Sequence, residues 1–117
     1  MKARMEAEGG SRDTAREIYQ RMYQESDDPG VKEMAAKRLW QIQSFFERDE
    51  IRLVLQAYTE QVKRCPSAWK DVSNALRIRR LHLDGSGAPV DPSDFPYLLI
   101  KDGCDVDLDW RSPVPGK

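Results

Sequence analysis

The fold class is decided by residues 51–66, which read IRLVLQAYTEQVKRCP. Apolar side chains recur in this stretch at intervals of three and four residues, the spacing that places them on one face of an α-helix. Pro66 ends the pattern, because the residue before a proline is pushed out of the α conformation. The stretch therefore predicts the last long helix of a helical N-terminal part. Its inner face comprises Ile51, Val54, Leu55, Tyr58 and Val62.

Upstream of residue 51, the same spacing predicts two further helices. The first begins near residues 11–14 and ends at residues 26–30, SDDPG. In this turn Asp28 can cap the second helix, and Pro29 falls in its first turn, where a missing N–H costs nothing. The apolar stripe of the first helix comprises Ala15, Ile18, Tyr19, Met22 and Tyr23.

The second helix carries apolar side chains on two flanks, which is typical of a helix packed between neighbours. Ala36 and Trp40 form the smaller flank. Residues 47–50, ERDE, either interrupt this helix or are crossed without a break, because no glycine or proline forces a stop there. The larger flank comprises Val31, Met34, Ala35, Leu39, Ile42, Phe45 and Phe46.

After Pro66 the helical pattern becomes short and then stops. A fourth helix is predicted from Ser67, as its cap, to about Leu76. Trp69 and Val72 face inward in this helix. Beyond it the chain is rich in proline and glycine, which indicates turns and extended segments.

The C-terminal part predicts short strands joined by turns. Residues 81–83, LHL, predict a short strand before the turn signal at residues 84–87, DGSG. Residues 97–100 form a β-type run, and residues 101–103, KDG, are typical of a hairpin. Residues 105–110 alternate between aspartate and apolar side chains, which predicts a second strand. The expected fold class is α+β, predominantly α: three to four helices (a helical hairpin plus further helices) followed by a short β-hairpin tail.

Length and composition predict one compact domain with a highly solvated surface. The chain has 117 residues, of which 33% are charged, and a net charge of −1. The charges are mixed in sign along the chain, so they favour neither nucleic acid nor an anionic membrane as a partner. No apolar run approaches the roughly 18 residues that span a bilayer, and residues 1–10, an expected disordered leader, lack the apolar core of a signal peptide. We expect a soluble fragment of a bacterial protein, cytoplasmic or extracytoplasmic.

Cys65 and Cys104 are the only cysteines, and His82 is the only histidine. A structural zinc site needs four ligands of these kinds, so no zinc site is predicted. We expect free thiols, with one disulfide as the alternative if the protein works outside the cytoplasm.

The sequence contains no pattern that predicts catalysis or a cofactor. Asp105, Asp107 and Asp109 begin like a calcium-binding loop, but Trp110 stands where that loop needs glycine. Acidic residues number 20, so pairs of carboxylates alone do not indicate acid–base catalysis. We therefore expect no enzyme activity, no metal and no cofactor.

Several residues of the first helical hairpin match a known repeat pattern. They are Ala15, Tyr19 and Met22, the turn Asp28-Pro29, and Ala35, Ala36 and Leu39. Their order of small, aromatic and small positions around a turn resembles tetratricopeptide-type repeats. Residues 11–46 are thus similar to one such hairpin, which implies a helical-repeat protein.

Three further motifs lie downstream: residues 64–72, RCPSAWKDV, residues 89–92, PVDP, and residues 96–99, PYLL. With the helix before them they resemble the soluble portion of a pseudopilin, over residues 47–112. In that family a helix leads through a short helix and a proline-rich turn into a β-hairpin, and bacterial repeat proteins of unassigned function end in such a segment. The resemblance implies structural anchors at Tyr58, Pro66, Trp69, Pro96 and Tyr97, and leaves residues 113–117 as a tail.

These predictions favour a non-catalytic module for protein–protein interaction or scaffolding, the C-terminal part of a bacterial helical-repeat protein. No preceding helix covers the outer face of the first helix, so its stripe either binds a partner or packs only on the second helix. Expected partners are upstream repeats, a second copy in a homodimer, or another protein chain. The alternative is a structural pseudopilin-like subunit of a secretion or pilus machine, and a small hydrolase or transferase ranks third. The expected partner-binding residues are Ile18, Tyr19, Met22, Tyr23 and Trp40.

Overall fold

The structure, a computed structural model, describes residues 10–116 and confirms the predicted α+β class with helices predominating. Helix α1 spans Gly10–Glu25 and helix α2 spans Pro29–Val62. Of the predicted leader, residues 1–10, only Gly10 lies within the described residues, where it begins α1.

The turn between α1 and α2 forms as predicted. Asp28 caps α2, because its Oδ1 accepts a hydrogen bond from the Gly30 N–H at 2.9 Å. Pro29 is the first residue of α2, a position where no helical acceptor exists for an N–H. Lys32 donates from Nζ to the Tyr23 carbonyl at 2.8 Å, so the end of α1 is held against the start of α2.

Helix α2 continues through residues 47–50 without a break and is 34 residues long. At 1.5 Å per residue it is roughly 50 Å in length. Glu47 and Arg48 are both buried, so two of these four charged residues face the interior of the fold. The helix crosses the boundary predicted between residues 46 and 47, and the N-terminal hairpin and the C-terminal part therefore share one helix.

The segment after α2 differs from the single fourth helix that was predicted. Lys63 has a left-handed backbone, with φ of 70°, and this ends α2 before the predicted proline. A 3-10 turn at Trp69–Asp71 precedes helix α3, Ser73–Ile78. Ser67 caps neither of them: its N–H and its hydroxyl each donate to Asp71 Oδ2 at 3.0 Å. This bridge closes the loop locally, which shortens the helix that follows.

The predicted β-hairpin forms, with shorter strands than expected. Strand β1, Leu98–Ile100, pairs antiparallel with strand β2, Asp105–Asp107. A 3-10 turn at Lys101–Gly103 joins them. The strand predicted at residues 81–83 is reduced to an isolated bridge at Leu83.

The alternation predicted for residues 105–110 stops at the end of β2. Val106 is buried as predicted, but Asp109 is 4% exposed and Trp110 is 85% exposed, the reverse of the expected order. Asp109 turns inward because its Oδ1 accepts a hydrogen bond from the Arg111 N–H at 2.8 Å. This part of the prediction is wrong because a local side-chain turn replaces the extended backbone.

The hydrophobic core lies between the C-terminal half of α2, the α3 region and the hairpin. Tyr58 and Trp69 pack against it as partly buried side chains. Val62, predicted on the inner face of its helix, is 41% exposed instead, since it is the last residue of α2 and lies outside this cluster. The core residues are Ile51, Val54, Leu55, Val72, Leu76, Tyr97 and Val106.

The last described residues, predicted as a tail, lie against the first half of α2. Val114 is 4% exposed. Pro115 lines a cavity together with Met34 and Arg38 of α2. The tail is therefore packed at Val114 and Pro115, and Lys117 lies outside the described residues.

Cys65 and Cys104 form a disulfide, so the expectation of free thiols is wrong and the alternative holds. Their Cα atoms lie 5.1 Å apart, within the range that a disulfide spans. The turn between the strands rests directly on the loop after α2, and a Cβ at Gly103 would overlap the carbonyl oxygen of Pro66. This close approach between distant parts of the chain brings the two sulfurs together.

We predict that replacing both cysteines, Cys65→Ala with Cys104→Ala, lowers the free energy of unfolding by about 4 kcal/mol. The physical reason is that the disulfide closes a loop over a sequence separation of 39 residues and so restricts the unfolded chain. Urea unfolding measures the change. Wild type with added reductant is the matched control and should unfold like the variant, and equal midpoints for variant and oxidised wild type would contradict the prediction.

Candidate functional site

The predicted partner-binding stripe is divided between two sides of α1. Ile18 is 51% exposed and Tyr23 is 44% exposed. Tyr19 and Met22 are partly buried, and they belong to the helix that packs mainly against α2. Trp40, on α2, is also partly buried. Of the five predicted residues, Ile18 and Tyr23 are therefore the ones that offer surface to a partner.

Two arginines of α1 contact aromatic rings of α2, a feature that the sequence analysis missed. The Arg16 guanidinium lies 4.8 Å from the ring centre of Phe46, and that of Arg12 lies 5.2 Å from the ring centre of Phe45. Arg12 also forms an ion pair with Asp49 at 2.8 Å. Arg12 and Arg16 are four residues apart, which places them on one side of α1, and this spacing was the signal that could have identified them.

A buried polar cluster joins the C-terminal part of the chain to the middle of α2. Tyr97 is 2% exposed, and its hydroxyl donates to Glu47 Oε1 at 2.7 Å. The Tyr97 hydroxyl has one proton, which it donates to Glu47, and the Ser44 hydroxyl therefore donates to the Tyr97 oxygen, at 2.9 Å. Gln43 donates from Nε2 to the second Glu47 oxygen at 3.0 Å. Each polar atom that Tyr97 and Glu47 bring into the interior thus has a partner.

Burial changes the protonation equilibria of this cluster. It raises the pKa of the Glu47 carboxyl above its ordinary 4.5, although the hydrogen bonds from Gln43 and Tyr97 oppose the change. Burial also raises the pKa of the Tyr97 phenol far above its usual range. At neutral pH Tyr97 is therefore a fixed donor, and Glu47 is the group in the cluster whose charge can change on acidification.

The backbone around Tyr97 is held by two further hydrogen bonds. Its N–H donates to the Pro89 carbonyl at 2.8 Å, and its carbonyl accepts from Trp69 Nε1 at 3.0 Å. Trp69 thereby links the turn after α2 to the start of β1. Pro66 is buried beneath the hairpin turn, and Pro96 is partly buried. The structure brings these four predicted anchors to one region, with Tyr58 at the edge of the same core.

A cavity of about 440 Å³ lies beside Glu47. His82 lines it and is exposed, and Asp91 lines it and is 3% exposed. Both Asp91 oxygens are occupied: Oδ1 accepts from the Ser93 N–H at 2.8 Å, and Oδ2 accepts from the Ser112 hydroxyl at 2.6 Å. The buried carboxylates of this cavity thus hold the chain together.

Two geometric findings concern metals and membranes. Within residues 10–116, no three side chains of histidine, cysteine, aspartate or glutamate are grouped closely enough to hold a metal ion. None of the helices in that range combines the length and the apolar composition needed to cross a membrane.

We predict that Glu47→Gln is more stable than wild type at pH 7 and equal to it below about pH 4.5. A raised pKa means that the folded state takes up the proton more readily, so the stability from this group is present at low pH and is lost as pH rises. Glutamine keeps an acceptor for the Tyr97 hydroxyl and removes the buried charge. Thermal unfolding from pH 4 to pH 8 measures the difference.

The matched control is Glu60→Gln, which removes the same charge from an exposed position on the same helix. Its pH profile should run parallel to that of wild type. A Glu47→Gln profile that also runs parallel, or lower stability at pH 7, would mean that the Glu47 carboxylate is stabilised as an anion.

Comparison of the chain with protein-family models, with curated proteins and with solved structures finds no significant match. The resemblances to tetratricopeptide-type repeats and to pseudopilins therefore stay predictions, carried by the residues quoted for them. What the chain does has to be inferred from its own surfaces.

Proposed function

We propose that this chain is a non-catalytic module for protein–protein interaction, the C-terminal part of a bacterial helical-repeat protein. The observation that carries the proposal is the exposure of Ile18 and Tyr23 on α1. These large apolar side chains are 51% and 44% exposed on a helix that packs mainly against a single neighbour. The function is binding through α1, with an upstream repeat helix or a second copy of the chain as the partner.

Burial of these two side chains supports an interface of useful strength. Full burial of one large apolar side chain contributes about 1.5 to 3 kcal/mol, before the cost of association is subtracted. Met34, at the start of α2, is 40% exposed and adds a third apolar side chain to the helical hairpin. In repeat proteins each unit covers such a face of its neighbour, and a terminal unit without cover remains adhesive.

The arrangement of α2 supports a scaffolding role. Its first half packs against α1, and its second half forms one wall of the core. A partner held on α1 is therefore coupled to the C-terminal part through one continuous helix and not through a flexible linker. This rigidity suits a module that fixes the relative positions of two proteins.

We further propose that the protein works in an oxidising compartment outside the cytoplasm. The support is the disulfide between Cys65 and Cys104, since such bonds persist in oxidising environments and are rare where thiols are kept reduced.

The second candidate is a structural pseudopilin-like subunit of a secretion or pilus machine. One feature favours it: the long helix α2 leads into a disulfide-closed loop, a short helix and a β-hairpin. Sequencing of the full gene product separates the two candidates. Helical repeats upstream support the repeat protein, whereas a single apolar helix upstream supports the pilus-like subunit.

We predict that the chain self-associates or binds its own upstream segment through α1. The double variant Ile18→Glu with Tyr23→Glu should lose this association by at least about tenfold in affinity, because it places two charges in an apolar contact. Analytical ultracentrifugation at micromolar concentrations measures it for wild type and for the variant.

The matched control is Gln20→Glu with Gln24→Glu, which adds the same charge to exposed positions of the same helix. It should associate like wild type. A wild type that stays monomeric at high micromolar concentration and does not bind its upstream segment supplied in trans would refute the proposed function.

A further inference from the structure

A groove lies along one edge of the β-hairpin. It encloses a volume of about 770 Å³ and is lined by all three residues of β1, Leu98–Ile100, and by none of β2. The groove therefore borders the edge of β1 that faces away from β2. Its opposite wall comes from residues 67–69 after α2 and from the loop at residues 84–88.

The backbone of β1 has hydrogen-bonding capacity on this edge. Within residues 10–116, β1 pairs with β2 alone. In an antiparallel pair, alternate residues direct their N–H and C=O groups away from the partner strand. Outside the hairpin and its 3-10 turn, no described residue forms a hydrogen bond with the backbone of Leu98, Leu99 or Ile100. An unpaired edge of this kind can accept one other extended chain over the three residues of β1.

The walls of the groove offer apolar contacts at fixed positions. The Trp69 ring lines the groove, and the hydrogen bond from its Nε1 to the Tyr97 carbonyl fixes its orientation. Ala88 and Pro96 add apolar surface. The disulfide at Cys104 holds the hairpin turn in place, so little ordering is needed when a ligand enters.

The groove carries negative charge that has no cationic partner within the described residues. Asp102 makes no hydrogen bond or ion pair within residues 10–116, and Asp84 uses only Oδ1, which accepts from the Ser86 hydroxyl at 2.7 Å. That bond, the largest of several effects, lowers the pKa of Asp84, so its carboxylate is charged at neutral pH. Lys101, the lysine that lines the groove, shares Asp105 with Arg52, at 3.7 Å and 2.8 Å respectively, so the lining sets two carboxylates against one lysine.

We propose that this groove binds an extended peptide segment, which adds to β1 as a third strand. The free backbone groups of β1 specify an extended ligand, since a helix has no backbone groups to offer in return. An apolar side chain of the peptide packs on Trp69, and a lysine or arginine side chain pairs with Asp84 and Asp102. This mode of recognition combines main-chain hydrogen bonds for affinity with side-chain contacts for specificity. It is a second contact, separate from the one proposed for α1.

The probe is an acetylated and amidated peptide, Lys-Val-Lys-Val-Lys-Val, titrated into the ¹⁵N-labelled chain. We expect saturable chemical-shift changes at the amides of β1 and at the Trp69 indole N–H. The same peptide N-methylated at every residue keeps its charges and loses all backbone donors, so it should not bind. Equal binding by the methylated peptide, or shifts confined to α1 and α2, would overturn the proposal, as would no shift up to millimolar peptide.

The charge contribution is tested with Asp84→Asn and Asp102→Asn combined. Asparagine keeps the side-chain acceptor of the loop at Asp84, and it tolerates the left-handed backbone at Asp102, where φ is 56°. Binding should weaken by about tenfold, the size expected for two exposed ion pairs. Asp27→Asn with Asp94→Asn, which removes two exposed carboxylates outside the groove, is the control and should bind like wild type. Equal affinity for both double variants would overturn the assignment of a basic ligand.

Discussion

The hydroxyl of Tyr97, buried against α2, is the contact on which the C-terminal half of this protein depends. It donates to Glu47 and accepts from Ser44, while its own N–H and carbonyl bind Pro89 and Trp69. Four hydrogen bonds, two from the side chain and two from the backbone of Tyr97, thus join three separate segments at one residue. A buried polar network is stable only when every member has a partner, so it specifies one arrangement of these segments.

The position of the hairpin follows from that contact. Because Tyr97 is held against α2, β1 begins at a defined place. The turn after β1 then packs against the loop that contains Pro66. The disulfide between Cys65 and Cys104 then closes the same region covalently. One edge of β1 pairs with β2, and the other borders a groove that Trp69 lines. The strand side of the groove and Trp69 are therefore positioned by contacts with the core, while the loop at residues 84–88 completes the opposite wall.

The two proposed binding surfaces use different chemistry. Helix α1 offers two large exposed apolar side chains, Ile18 and Tyr23, on the two flanks of the stripe that packs against α2. The edge of β1 offers backbone groups and acidic side chains, which suit an extended basic peptide. Two contacts of these kinds would be joined through α2, which is one continuous helix. This combination is the main physical support for a scaffolding function.

Local patterns in the sequence determined the helices, the Asp28 cap and the hairpin turn, because each depends on residues a few positions apart. Only the tertiary structure showed that α2 continues through residues 47–50, since the local pattern allowed a stop or a continuation, and Glu47 is buried against a tyrosine 50 positions away. It likewise decided the pairing of Cys65 with Cys104 over 39 residues. The helical spacing of residues predicted that Ile18 and Met22 lie on one stripe, but it did not predict which of the two side chains stays exposed. The burial of a side chain depends on the surface that packs against it, and the residue spacing of one helix carries no information about that second surface.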